Sequence, residues 1–135
     1  MTVGELVPKL SRRIDLRTLV RYAGASGDFN PIHYDAEYAR AAGLDGVIGH
    51  GMLAMGLLSE AITDWIGDSG LVQSISARFT SSYRLGDVLT VSGTVVGVED
   101  GVAQLQLRCV NQDGLEVIRT ASATVLAGEG SHDDV

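Results

Sequence analysis

Hydrophobic residues repeat with a helical period in the first half of the chain and alternate with polar residues in the second half. Residues 51–66 are apolar at nearly every position, a pattern that predicts one long helix. A helix that is apolar all round should be buried on nearly every side, so we expect it at the centre of the fold. Met52, Met55 and Trp65 are predicted to pack in the core around it.

Two shorter helices are predicted before this central one. Apolar residues recur at helical spacing over residues 15–23, where Asp15 is the expected N-cap, and again over residues 35–42. Residues 1–11 show little periodicity, so we expect a lead-in followed by a short strand near residues 12–14. The first part of the chain is therefore predicted to be mainly helical.

The alternating pattern after the central helix predicts four strands, at residues 71–83, 88–98, 102–110 and 115–126. The third is the clearest, with apolar residues from Ala103 to Cys109 on one face and polar residues on the other. Turn sequences rich in Gly, Asn and Asp separate the last three strands, which predicts an antiparallel meander. A long helix on one face of such a sheet is an α+β arrangement.

Composition limits the class of protein. A chain of 135 residues suits one domain, which we place at residues 1–127, with a flexible acidic tail at residues 128–135. The net charge of −7 argues against a nucleic-acid-binding protein. No apolar run reaches the ~20 residues of a membrane span, and no signal peptide is apparent, so the cytosol is the expected compartment. The single Cys109 provides neither a disulfide nor a structural zinc site.

The candidate chemistry lies between the first two helices. Asp28 and His33 are five residues apart, and Pro31 forces Asn30 out of helical geometry, so this segment should form a tight turn. Such a turn can direct a carboxylate and an imidazole to one point, where they can hold and activate a water molecule. His50 is interpreted as a cap or turn residue without a chemical role.

Other polar groups have plainer interpretations. The four arginines near the N-terminus, Arg12, Arg13, Arg17 and Arg21, are better explained as a solvated face than as an anion-binding patch. Arg78 and Arg84 could meet phosphates, although exposed arginines usually do not. The Ser131-His132-Asp133 triplet cannot reach triad geometry, because adjacent residues in a frayed end are not held together.

Residues 22–33, followed by Ala39 and by residues 49–53, resemble the signature of the MaoC-like dehydratases. This family includes (R)-specific enoyl-CoA hydratases and (3R)-hydroxyacyl-ACP dehydratases. Residues 65–68 and the small size look most like the catalytic subunit of the mycobacterial hydroxyacyl-ACP dehydratases. The resemblance implies a single hotdog fold, an antiparallel sheet wrapped around the long helix. It also implies a homodimer, or a heterodimer with a related hotdog subunit, with the acyl tunnel at the interface.

The resemblance assigns roles to six residues. Asp28 and His33 match the catalytic pair, Asn30 matches a structural turn residue, and Gly51 matches the glycine whose amide binds the thioester carbonyl. Two further positions are expected to support the site. Ser59 matches a pocket serine, although it could equally bond to its own helix, and Tyr22 is expected to pack beside the turn. No metal and no redox cofactor is implied, since the substrate is carried as a CoA or ACP thioester.

The expected function is that of a hydro-lyase in fatty acid metabolism. It would hydrate trans-2-enoyl thioesters reversibly to (3R)-hydroxyacyl thioesters. One alternative is a hotdog acyl thioesterase, which would release a free thiol without hydration. Another is a subunit of a heteromeric hydroxyacyl-ACP dehydratase with limited activity alone.

Overall fold

The computed structural model describes residues 1–127, which form one five-stranded antiparallel sheet and three α-helices. The predicted tail and its Ser131-His132-Asp133 triplet lie outside the described residues. In chain order the elements are β1 (Leu6–Arg13), α1 (Leu16–Ser26), a 3-10 turn (Pro31–His33), α2 (Ala36–Ala41), α3 (Gly51–Ile66), β2 (Leu71–Phe79), β3 (Val88–Glu99), β4 (Val102–Val110) and β5 (Glu116–Leu126).

The sheet has the order β1-β3-β4-β5-β2, so β3, β4 and β5 form the predicted meander and β1 and β2 are the two edges. Helix α3 packs against one face of this sheet and contacts strands from edge to edge. The α+β prediction and the bounds of α3 are confirmed. Strand β2 ends at Phe79 rather than at residue 83, because the chain leaves the sheet there to return towards the start of α3.

The prediction for the N-terminal lead-in is wrong. Residues predicted to be mostly irregular form β1, an eight-residue strand paired with β3. Pro8 lies where the register shifts between Val7 and Leu10, at the edge of the sheet. Proline is tolerated at an edge or a bulge because its missing N–H costs no ladder hydrogen bond there. The strand also contributes to the core, since the side chain of Val7 is buried.

The core lies between α3 and the sheet. The β4 residues predicted to face inwards, from Ala103 to Cys109, are all buried. Helix α3 is covered only on its sheet side, so the expectation of burial on nearly every side is wrong for the described chain. Its buried residues are Ala54, Leu57, Leu58, Ala61, Ile62 and Ile66. On the other side Met52 is 57% exposed and Gly56 is open to solvent.

Candidate active site

The turn that carries Asp28 is built by local hydrogen bonds. Helix α1 is followed by Gly27, whose φ of 76° is the left-handed conformation that glycine adopts without strain. The Asp28 carboxylate then accepts a hydrogen bond from the Asn30 amide at 3.2 Å, and the Asn30 side chain accepts one from the Ile32 amide at 3.2 Å. Asn30 therefore ties this turn together and begins the 3-10 turn that ends at His33.

Asp28 and His33 lie side by side. His33 Nε2 is 3.7 Å from Asp28 Oδ2; the imidazole is nearly buried, whereas the carboxylate is half exposed. His33 Nδ1 lies 2.8 Å from the backbone oxygen of Ile48, and because a carbonyl only accepts, Nδ1 carries the proton of the neutral ring. Its Nε2 and the carboxylate are then two acceptors facing one gap. One water oxygen can sit about 2.8 Å from each and donate both its hydrogens.

Gly51 is the first residue of α3, and its N-terminal side is open. Within the described chain, no side chain caps this helix end, so the partial positive charge of its first amides points outwards. A cavity of about 300 Å³ lies beside Gly51 and is bordered by Phe79 and by residues 80–83. An acyl oxygen could approach the helix end from this side.

His50 lies between the two parts of the site. Its ring stacks on His33 with 3.8 Å between the centroids and 25° between the planes, and its Nε2 is 3.3 Å from the backbone oxygen of Asp28. Tyr22 packs beside it at 4.9 Å, as expected for a residue flanking the turn. Burial holds the pKa of His50 below its usual value of 6.5. From the sequence, His50 was interpreted as a cap or turn residue without a chemical role; within residues 1–127 its side chain makes no capping hydrogen bond.

Tyr83 was also missed. Its buried hydroxyl donates a hydrogen bond to the His50 backbone oxygen at 2.7 Å, and burial raises the pKa of this phenol. The Gly49 amide donates to the Tyr83 backbone oxygen at 2.9 Å. A Cβ atom at Gly49 would lie 1.9 Å from the Tyr83 ring, so only glycine fits between this ring and the turn before α3. Tyr83 thus anchors the start of the central helix to the sheet.

The remaining candidates lie apart from the pair. Ser59 is half buried on α3, eight residues beyond Gly51 and so about 12 Å along the helix axis. Its predicted contact with substrate stays a prediction. Arg12 pairs with Glu60, and Arg84 lies 2.8 Å from Asp45, so neither arginine is directed at the Asp28–His33 gap. The basic cluster near the N-terminus is divided between β1 and α1.

Asp28, His33 and His50 bring ligand atoms within 4.8 Å of one another, a spacing that could suit a metal ion. The stacked rings argue against a shared metal site. Imidazole lone pairs lie in the ring plane, and two rings stacked at 3.8 Å with planes only 25° apart keep their lone pairs in two separate, nearly parallel layers. They do not converge on one point about 2.0–2.1 Å from both nitrogens, as a zinc ion would require.

One long helix packed on a five-stranded antiparallel sheet, with a carboxylate and an imidazole close to the start of that helix, is the arrangement of a hotdog-fold protein. The chain belongs to the family described as MaoC like domain, whose profile matches residues 3–113. None of the helices in residues 1–127 is long and apolar enough to cross a membrane.

Three similar proteins illustrate the relationship. The chain is 31% identical over 123 residues to the 3-oxo-4,17-pregnadiene-20-carboxyl-CoA hydratase beta subunit of Mycobacterium tuberculosis, covering 91% of this chain and 95% of that protein. It is 29% identical to the (R)-specific enoyl-CoA hydratase of Rhodospirillum rubrum, covering 87% and 82%. In the crystal structure of the ChsH1-ChsH2 complex from Mycobacterium tuberculosis, one chain matches with a TM-score of 0.85 and 30% identity, covering 93% and 98%.

Proposed function

We propose that this protein catalyses the reversible hydration of trans-2-enoyl thioesters to (3R)-hydroxyacyl thioesters. The observation that carries the proposal is the 3.7 Å approach of His33 Nε2 to Asp28 Oδ2 beside the open end of α3. Membership of the MaoC-like family and similarity to an (R)-specific enoyl-CoA hydratase support it. The R configuration, the CoA or ACP donor and the cytosol as compartment are parts of the proposal.

The geometry suits a stepwise account of the reaction. Asp28 and His33 hold a water molecule by its hydrogens, which leaves its lone pairs free to attack the β carbon. As the C–O bond forms, one proton passes to the pair and negative charge builds on the thioester oxygen. The Gly51 amide, at the positive end of α3, stabilises that charge. A proton from the pair then reaches the α carbon, so one molecule of water is added. The reverse sequence dehydrates the product.

We assign neither the acid nor the base to one residue of the pair. Both the carboxylate and the Nε2 atom face the same water position, so either group can take up or return the proton. No step of this account uses a metal or a redox cofactor, so treatment with a chelator should leave the rate unchanged.

We further propose that the active species contains a second hotdog subunit, either another copy or a related chain. The similarity to a hydratase beta subunit and to a chain of a two-component complex supports a partner. Strand β2 is a sheet edge, which a second strand could extend, and the exposed side of α3 offers apolar surface such as Met52. An isolated chain with little activity would indicate the heteromeric alternative.

The test uses purified protein with crotonyl-CoA and a longer 2-enoyl-CoA. Loss of the enoyl chromophore measures hydration, chiral analysis of the product gives its configuration, and gel filtration gives the mass of the active species. Asp28→Asn and His33→Ala should each lower turnover by at least ~100-fold, as expected for loss of general acid–base catalysis.

Asp45→Asn is the matched control, because this exposed carboxylate lies against Arg84 and away from the pair. It should retain the wild-type rate. If both Asp28→Asn and His33→Ala stay fully active, the proposed mechanism is wrong. If free CoA is released and no hydroxyacyl product forms, the protein is instead a thioesterase.

A further inference from the structure

His50 occupies the N-cap position of α3 but does not act as a cap. Its backbone is extended, with φ −68° and ψ 133°, yet within residues 1–127 its side chain makes no capping hydrogen bond. The imidazole turns inwards and is only 2% exposed. A buried imidazole that does not cap its helix is expected to have another structural role. Two contacts of His50 indicate that role, one with Asp28 and one with His33.

The first contact fixes the backbone of Asp28. His50 Nε2 lies 3.3 Å from the Asp28 carbonyl oxygen, and because that oxygen only accepts, Nε2 must carry the proton. Nδ1 of the neutral ring then bears a lone pair. This atom is buried and has no partner among the described residues. The unpaired nitrogen costs folding free energy, and it belongs to a histidine that contacts both members of the pair.

The second contact fixes the ring of His33. The two imidazoles stack with 3.8 Å between their centroids, while the Ile48 backbone oxygen lies 2.8 Å from His33 Nδ1. Together, the stacking and the hydrogen bond set the direction of the His33 ring and prevent its rotation. His33 Nε2 is therefore held towards Asp28. A neutral neighbour is also needed here, because a charged ring at 3.8 Å would oppose any positive charge that His33 gains during turnover.

His50 is itself held from the remaining sides. The Tyr22 ring packs against it at 4.9 Å, and the Tyr83 hydroxyl bonds to its backbone oxygen at 2.7 Å. Burial keeps the pKa of His50 low, in agreement with a neutral ring. The imidazole is thus a fixed surface between the turn that carries the pair and the helix that carries Gly51.

We propose that His50 is a positioning residue of the hydratase site, which as the neutral Nε2–H tautomer aligns the Asp28 backbone and the His33 ring at once. This inference rests on the proposed hydration reaction and deepens it. His50 does not contact the reacting atoms in this account. It acts by holding Asp28 and His33 in position, and small displacements of catalytic groups can lower turnover about 100-fold.

Two substitutions separate the two contacts. His50→Phe keeps an aromatic ring to stack on His33 but loses the donor to Asp28. His50→Gln keeps a donor at a similar reach but loses the ring. Each should lower kcat for crotonyl-CoA by about 10- to 100-fold with KM changed by less than about threefold, because the substrate still binds while the pair is misaligned. Asp45→Asn, the exposed control used above, should retain the wild-type kcat.

Rates are compared per folded molecule, so that a loss caused only by unfolding is removed. A kcat within about threefold of wild type in either folded variant would overturn the proposal. If the variants do not fold, the ¹⁵N chemical shifts of His50 in the wild-type protein decide. They should show a protonated Nε2 and an unprotonated Nδ1, and the opposite tautomer would refute the assignment. If wild type hydrates no thioester, the proposed function fails, while this tautomer measurement still tests His50.

Discussion

At the scale of the residue, the two glycines on either side of His50 differ in the space available for a side chain. A Cβ atom at Gly49 would lie 1.9 Å from the Tyr83 ring, whereas one at Gly51 would meet Phe79 at an ordinary 3.6 Å. Gly49 is thus needed for packing. Packing does not require a glycine at position 51, and the proposed approach of substrate to the Gly51 amide would account for one there.

We expect Gly49→Ala to destabilise the fold by about 1–3 kcal/mol or more, as overpacking does, because the buried Tyr83 cannot move away. Gly51→Ala should keep the wild-type unfolding free energy but lower kcat/KM. Urea denaturation and steady-state kinetics on both variants give the comparison. Equal stability of the two variants would contradict the packing at Gly49, and full activity of Gly51→Ala would weaken its assigned role.

The sequence was most informative for residues whose neighbours are close in the chain. Asp28, Asn30 and His33 lie within one turn, and Pro31 reveals that turn directly. Tyr83 could not be placed in this way, since its hydrogen bond joins residues 33 positions apart in the chain. No local periodicity reports such a contact. Of the two interpretations of His50, the cap is wrong, because its side chain makes no capping hydrogen bond, and no sequence pattern reports where that side chain lies instead.

At the scale of elements, the pattern predicted α3 and the meander closely but failed for β1. Pro8 argues against a strand in a local window, and only the completed sheet shows that it lies at an edge and a register shift. The burial of α3 was overestimated for a related reason. The apolar composition of a helix predicts that the helix is buried, but it does not show whether its own chain or another subunit buries it.

A substitution at Gly56 tests whether another subunit buries the exposed side of α3. Gly56 lies within α3, and a Cβ atom there would meet nothing within 4 Å. In a lone chain, Gly56→Ala should raise the free energy of unfolding by about 0.5–1 kcal/mol, because alanine favours helix over glycine. Urea denaturation measures the isolated chain, and gel filtration measures its assembly. A stabilised chain that no longer assembles would place the partner on this side of α3, whereas a destabilised chain would contradict the open surface.

For the whole molecule, stability should decrease in acid. Unfolded His50 titrates near 6.5, whereas burial lowers its pKa in the folded protein. The unfolded chain therefore takes up its proton at the higher pH, so the stability is complete above 6.5 and is lost as pH falls through the folded pKa. Asp15 acts in the same direction at lower pH, because the hydrogen bond from the Thr18 side chain lowers its pKa from 3.8.

Urea unfolding at a series of pH values below and above 6.5 measures this slope. His50→Gln should flatten the part of the curve that begins near 6.5, whatever its effect on absolute stability. An unchanged slope in His50→Gln would show that another group titrates in this range.

The burial of Cys109 has a practical consequence for the enzymology. It is the only cysteine of the chain, its side chain is fully enclosed by the core, and burial raises its pKa to about 11. The thiolate, which is the reactive form, is therefore scarce at neutral pH. A colorimetric sulfhydryl reagent should give a blank signal with the native enzyme. Any colour that develops with an acyl-CoA then reports liberated coenzyme, so hydrolysis can be scored in the same cuvette.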